Sequence, residues 1–397
     1  MFTPNPPLDF SLLPLPAIHF GAGRFSGLAE LAGSFGNNIL VVTGAHALQR
    51  SGRSTELMES LQSGGMRPFL LVVDREPSPE LVNGAVSKYR ELAIDVVLAV
   101  GGGSVLDAGK AISAMLLCDL PVERFIEGQE GFMQHDGRKV PFIAVPTTSG
   151  TGSEVTNNAV ISRIGRNGFK RSLRHAAFVP DIALIDPELM TTVSPELTAA
   201  SGMDGCTQLL EAFTSPFATP YTDAITCSGL ERFSRSFLSA CTDGSGDSAV
   251  RGDVAYAALM SGIALANAGL GIVHGFASSV GGLIDIPHGT LCATLLAEAT
   301  RENIVQLRAI FESHPALQKY AKAGAILSGV ADRDVHAGCE RLVETLEEWQ
   351  ALLSFPRLRS FGLAFEDLDG IVAATRSKSN AVQLDEAAMK RILLKRW

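Results

Sequence analysis

Four side chains in the second half of the chain have the chemistry to hold a divalent metal. Asp204 and Gln208 stand four residues apart in SGMDGCTQLLEAF, and on a helix both project from one face. His274 and His288 follow in GIVHGFASSVGGLIDIPHGTLC. One carboxylate and two imidazoles suit a divalent ion, with Gln208 as a weaker neutral oxygen donor. A histidine met alone is more often a hydrogen-bonded structural residue than a ligand, so spacing leaves both readings open.

A second group of residues points to phosphate. Gly101, Gly102, Gly103 and Ser104 follow the run DVVLAV directly and open the segment VLDAGKAISAML. Glycines there let a backbone approach a ligand closely, and a helix start supplies free N–H groups aimed at an anion. A pyrophosphate is the natural occupant, although a tight strand-to-helix turn without ligand has the same composition. The segment is neither the dinucleotide fingerprint nor a Walker loop, because Lys110 lies well inside the helix. The polar run Thr147, Thr148, Ser149, Gly150, Thr151, Gly152, Ser153, Glu154 follows VPFIAVP. It suits a ribose or phosphate, or is an ordinary loop with capping hydroxyls. Two such loops on neighbouring strands favour a nucleotide.

The elements that must position these residues are legible as alternation. Short β-branched runs at Asn38–Thr43, Arg67–Val73, Asp95–Val100 and Val140–Pro146 read as strands. Amphipathic segments lie between them, Pro79–Leu92 and Val105–Leu117 among them. That pattern predicts a parallel, helix-covered sheet, whose ligands bind beyond the carboxyl ends of the strands. From about Ser194 the chain turns rich in Ala, Leu and Ser with long helical periodicity. We expect a boundary near residue 190, an α/β domain over 1–190 and a helical one over 191–397. The polar run from Asp243 to Ser248 reads as a connection between two helices.

Composition sets the class. The chain has 397 residues, 46% apolar and 19% charged, with a net charge of −9. Scattered Lys and Arg leave no footprint for nucleic acid. No run of about 18 uninterrupted apolar residues argues for a transmembrane span, and the proline-broken N-terminus lacks a signal peptide's basic start. Six cysteines, widely separated and without a CxxC pair, fit a reducing cytoplasm.

The ordered motifs GGGSVLDAGKAI (101–112), VPTTSGTGSEVTNNAVI (145–161), VPDIALIDPELM (179–190), MDGCTQLLEA (203–212) and NAGLGIVHGFASSVGGLIDIPHG (267–289) resemble the iron-containing (group III) alcohol dehydrogenase family. The resemblance spans nearly the whole chain. It implies a parallel Rossmann-like N-terminal domain followed by an all-α C-terminal domain, a dehydroquinate synthase-like architecture with the active cleft between. It implies NAD or NADP as hydride carrier, with Gly101 to Ser104 on the pyrophosphate and Thr147, Thr148, Thr156, Asn158, Lys170 and Leu189 lining the rest. It assigns Asp204, His274 and His288 to a divalent metal, iron or zinc. It also implies a small alcohol or carbonyl substrate and a homodimer or larger assembly.

Three departures from the family pattern bear on chemistry. Gln208 stands where a histidine ligand is usual, which lowers the expected metal affinity. Ser278 replaces a histidine to which family mechanisms give a proton relay, so a relay here runs through Ser278, water or the cofactor ribose. Gly44 replaces an acidic residue common in NAD-preferring members, which permits NADP. Related activities with the same architecture are maleylacetate reductase-like reduction of a keto acid, with or without metal, and reduction of a phosphonate-bearing aldehyde. A nucleotide-binding protein without catalysis is the remaining alternative. His19, His46, His135, His175, His314 and His336 fall outside the motifs and read as structural or surface residues.

Overall fold

The computed structural model describes residues 9–45, 52–331 and 334–397; His46 and the first eight residues lie outside them. Eight strands run β1 (Ala17–Phe20), β2 (Asn38–Gly44), β3 (Arg67–Val73), β4 (Val96–Gly101), β5 (Phe142–Pro146), β6 (Asn158–Arg163), β7 (Phe169–Arg174) and β8 (Ile182–Ile185). Six of them form one sheet in the order β1-β8-β5-β4-β2-β3, every neighbouring pair parallel. Alternate residues of β2 face opposite layers. Ile39 and Val41 pack with Leu57 and Leu61 of one helix, whereas Leu40 and Val42 pack with Val82, Val86, Leu106 and Ile112 on the other side. Burial on both faces explains why these strands are almost continuously apolar.

Four helices cover the sheet: α1 (Leu28–Gly33), α2 (Arg53–Ser63), α3 (Pro79–Tyr89) and α4 (Gly103–Met115). The strand order reverses between β2 and β4, and such a switch point opens a crevice at the strands' carboxyl ends.

From Pro195 the chain is helical: α5 (Pro195–Thr214), α6 (Pro220–Ala240), α7 (Ser248–Ala268), α8 (Ile272–Leu283), α9 (His288–Ile310), α10 (Pro315–Ser328), α11 (Val335–Leu352), α12 (Leu368–Ala374) and α13 (Glu386–Arg396). Their inward faces share one apolar core, with Phe233 and Phe237 stacked at 4.3 Å. Helix α7 alone among the described residues is long and apolar enough to cross a membrane, and 67% of its apolar stretch is buried inside the fold. The polar run at 243–248 does connect two helices, α6 and α7, and Asp247 caps α7 by accepting from the Ala249 amide at 2.7 Å.

The four expected strands are present within two residues of their expected ends, and both expected helices within two or three. Sequence reasoning passed over β1 and β8, each four residues long, too short for a periodic signal. It also passed over the antiparallel hairpin of β6 and β7, where Arg163, Lys170, Arg171 and Arg174 interrupt the apolar alternation.

Candidate active site

The cleft lies between the sheet's carboxyl edge and the helical half, with a volume of 1580 Å³. Its floor on the sheet side is the turn from β4 into α4. Helix α4 starts at Gly103 with no side chain capping its first amides, which leaves those N–H groups for an anion. A Cβ on Gly103 would sit 2.5 Å from the Thr151 side chain, so the backbone is bare where a pyrophosphate would approach. Thr147 donates its amide to the Gly101 carbonyl at 2.9 Å, which ties the second polar loop to the first. The donor groups and the bare backbone fit a dinucleotide phosphate.

Gly102, Gly103, Ser104, Thr147, Thr148, Thr156, Asn158 and Lys170 all line this cleft. Gly101 ends β4 and is buried beneath them. Leu189 packs away from the cleft, in the apolar layer with Leu184 and Val145. Lys170, on β7, is buried and paired with Glu76 rather than exposed.

Behind the glycine turn lies a feature that sequence reasoning set aside. Lys110 is wholly buried, and its Nζ donates to the Ser153 carbonyl at 2.7 Å, Thr156 Oγ1 at 2.9 Å and the Asn158 carbonyl at 2.8 Å. Asp107, one turn earlier, accepts from Ser153 Oγ at 2.6 Å and the Val160 amide at 3.0 Å. Together they fasten the loop that presents Thr156 and Asn158. Burial lowers the Lys110 amine to about 8, against the pull of Asp107 and Glu154. Burial also raises the Glu154 carboxyl to about 7.

On the helical side, α5 carries Asp204, Gln208 and Glu211 along one buried face. His274 comes from the first turn of α8 and His288 opens α9. His274 Nε2 lies 3.2 Å from Asp204 Oδ1, and His288 Nε2 lies 3.5 Å from the same oxygen. His274 Nδ1 faces Glu211 Oε2 at 2.7 Å, while the other Glu211 oxygen accepts from the Val273 amide at 2.7 Å. A carboxylate behind a ligand imidazole fixes its tautomer and orientation. Gln208 Oε1 accepts from Ser261 Oγ at 2.7 Å. Ser278 is exposed at the cleft, its hydroxyl donating to the His274 carbonyl at 3.2 Å.

A fourth donor joins this group. Cys292, one turn after His288 on α9, is buried with Sγ 3.8 Å from His288 Nε2 and 3.9 Å from His274 Nε2. The ligand atoms of Asp204, His274, His288 and Cys292 all lie within 4.8 Å of one another. Burial opposes charge on Asp204, but the two imidazoles outweigh it and hold the carboxyl well below the usual range. Burial likewise opposes charge on His288, and Cys292 with Asp204 outweighs it to bring that imidazole to about 9. Convergent carboxylate, imidazole and thiol donors at the wall of the cleft fit a divalent cation. The i, i+4 spacing of His288 and Cys292 was the available signal for the cysteine, as was the spacing of Asp204, Gln208 and Glu211 for the acid.

Close backbone approaches help bring the two halves of the site together, and Ser261 Oγ on α7 donates to the Gly150 carbonyl at 3.4 Å beside them. A Cβ on Gly152, whose φ is +61°, would fall 2.4 Å from Gly262 Cα on α7. Gly150 approaches Ser201 of α5 as closely, a Cβ there falling 2.6 Å from the Ser201 carbonyl oxygen.

A doubly wound sheet with a bare phosphate turn, facing a cation site across one cleft, defines a nucleotide-dependent oxidoreductase that uses a metal. Comparison with known proteins agrees. Residues 16–187 match the family described as iron-containing alcohol dehydrogenase, and residues 198–397 match the C-terminal part of that family. The chain is 29% identical to an NADPH-dependent butanol dehydrogenase of Clostridium saccharobutylicum, covering 94% of this chain and 95% of that one. It is 33% identical to a probable alcohol dehydrogenase of Salmonella typhimurium, covering 83% and 80%. Among solved structures, a 1,3-propanediol oxidoreductase superposes with a TM-score of 0.88 at 26% identity, covering 98% of this chain and all of the other. The chain belongs to the iron-containing alcohol dehydrogenase family. It is an enzyme that interconverts alcohol and carbonyl compound with NAD(P) and a divalent metal.

Proposed function

We propose that the physiological reaction is reduction or oxidation at a small alcohol or aldehyde held between the glycine turn and the Asp204 cluster. The observation that carries this reading is the convergence of Asp204, His274 and His288 on one point of the cleft that the phosphate turn also opens into. Gly102, Gly103 and Ser104 hold the pyrophosphate on the amides of α4. Thr147, Thr148, Thr156 and Asn158 flank the rest of the cofactor, and Lys170 with Glu76 forms the adjoining wall. Gly101 supports the turn from beneath, and Leu189 supports the sheet.

When bound, the metal supplies Lewis acidity at the substrate oxygen. Asp204, His274 and His288 hold it, with Gln208 beside them. Glu211 orients His274 through Nδ1. Ser278 Oγ, at the open side of the cleft, passes a proton between solvent and the substrate oxygen. NADP is accommodated as well as NAD, because Gly44 closes β2 without an acidic side chain.

We divide the chain into domains 1–190 and 191–397, a reading supported by the end of β8 at Ile185 and the start of α5 at Pro195. Cytoplasmic residence suits six free cysteines. A homodimer or larger assembly is the state we assign from the family resemblance.

A second reading concerns charge. Arg166, Arg376 and Lys378 line the cleft beside the acidic Glu366 and Asp367, and these cations are the groups that would hold a carbonyl substrate bearing an anionic group, such as a keto acid or a phosphonate-bearing aldehyde. Elemental analysis of the purified protein, with NADH and NADPH oxidation against neutral and anionic aldehydes before and after chelation, tests both. Bound metal with activity that chelation abolishes and metal restores supports the proposal. Turnover by a metal-free protein overturns the role of the cluster, and a kcat/KM favouring neutral substrates overturns the second reading.

A further inference from the structure

We propose that the Cys292 thiolate is a metal ligand in this enzyme, completing a set of Asp204, His274, His288 and Cys292 that favours zinc. The inference rests on the metal-site reading given above and extends it to a residue that reading does not use.

Three observations carry it. First, Cys292 is fully buried, yet its sulfur faces two imidazole nitrogens at 3.8 and 3.9 Å rather than the apolar core behind it. Second, the four separations between the imidazole nitrogens and the Asp204 oxygen or Cys292 sulfur are close to those around one small dication, to which a substrate oxygen would add as a further ligand. Zinc–sulfur bonds of about 2.3 Å and zinc–nitrogen bonds of about 2.0–2.1 Å set sulfur and nitrogen about 3.6 Å apart, and oxygen and nitrogen about 3.3 Å apart. The protein holds its Asp204 oxygen 3.2 and 3.5 Å from the two nitrogens. Third, the neighbours that might compete are engaged. Gln208 Oε1 accepts from Ser261, and both Glu211 oxygens are taken by His274 and the Val273 amide.

The position also makes chemical sense. Cys292 follows His288 by one helical turn, so a single element delivers two ligands. On loading, the sulfur–hydrogen bond breaks, its proton leaves to solvent, and a sulfur–metal bond forms. Two anionic ligands then balance a dication in a buried site. Thiolate is a softer donor than the imidazole or amide that could stand in this shell, and it shifts selection towards zinc over iron(II).

The test is cobalt(II) substitution of the chelated, full-length protein, with uptake measured by elemental analysis and coordination by absorption. One cobalt per chain with a sulfur-to-cobalt charge-transfer band in the near ultraviolet, absent in Cys292→Ser and Cys292→Ala, is the expected result. Zinc affinity, read by competition with a chromophoric chelator, should fall at least about tenfold in both variants. Bound cobalt with ligand-field bands but no charge-transfer band in the wild type overturns the role of Cys292 and leaves the metal site standing. No cobalt uptake overturns both. Should either variant fail to fold, the wild-type spectrum decides alone.

Discussion

Glu211 and His274 face each other across 2.7 Å, and that contact sets which imidazole nitrogen looks into the cleft. With the Glu211 carboxylate accepting a hydrogen bond from Nδ1–H, Nε2 is the nitrogen left beside Asp204 Oδ1 for a metal. Glu211→Gln keeps the shape and the oxygen facing the Val273 amide but removes the charge. We expect metal affinity to fall by about 10–100-fold with the fold intact. Chelator competition and circular dichroism check it; unchanged affinity removes Glu211 from the site.

Replacing the ligands themselves should cost more. His274→Ala and His288→Ala each leave Asp204 buried without one of the imidazoles that hold it ionised. Both proteins should emerge from purification with little metal and with most turnover lost, read by elemental analysis and initial rates. Full activity in both variants would sink the metal role.

Lys110 should matter for stability and for cofactor binding together. Lys110→Met keeps the length of the side chain and deletes every hydrogen bond from Nζ, leaving the buried Ser153 carbonyl and the Asn158 carbonyl without that donor. A loss of about 1–3 kcal/mol is expected, seen as a lower Tm. A weaker Kd for NAD(P)H should accompany it, because Thr156 and Asn158 lose their anchor. An unchanged Tm would show that the network is not structural.

Glu154 gives the fold a pH dependence of defined sign. Its carboxyl titrates near 7 in the fold against 4.5 ordinarily. Between those values the fold keeps a proton that the unfolded chain has released. Stability from this group is therefore fully present below about pH 4.5 and lost as pH rises through 7. Glu154→Gln should raise stability by roughly 2–4 kcal/mol at pH 8 and change it little at pH 4.5. Thermal melts at the two pH values measure the difference, and an equal shift at both would refute the assignment.

Gly44 offers a switch of cofactor. It ends β2 with an ordinary φ, and among the described residues a Cβ there meets only Val105 Cγ2, at 3.5 Å. Gly44→Asp should fold and bind the adenosine ribose hydroxyls while repelling a 2′-phosphate. A fall of about tenfold or more in the NADPH-to-NADH ratio of kcat/KM is expected, an effect on the order of 1.4 kcal/mol. A constant ratio would place the adenosine ribose elsewhere.

The sheet and the phosphate turn were readable because their signals are local. Apolar runs such as NILVVT and the glycines at 101–103 announce themselves within six residues. Asp204, His274 and His288 were recognisable by type and by resemblance, although their approach is not local; Asp204 and His274 are separated by 70 residues. Cys292 and Glu211 stayed unread because a thiol or acid on a helix face looks like ordinary core or surface until its partners arrive from another helix. Lys110 was dismissed for lying inside a helix, and its burial depends on β6, whose polar residues hid the hairpin. Ser278 was one of three relays the sequence allowed, beside water and the cofactor ribose, and its hydroxyl donates to the His274 carbonyl at 3.2 Å.

The joint between Gly152 and Gly262 has an implication for how such a chain can change. Main chain rests on main chain there, with the Val155 side chain packed beside it. Gly152 belongs to the loop that leads to Thr156 and Asn158, and Gly262 to α7, whose Ser261 holds Gln208 beside the metal donors. A side chain added at either glycine would have to push the two walls of the cleft apart. Diversity in substrate can accumulate around the cleft's rim, while this joint leaves room for no residue but glycine.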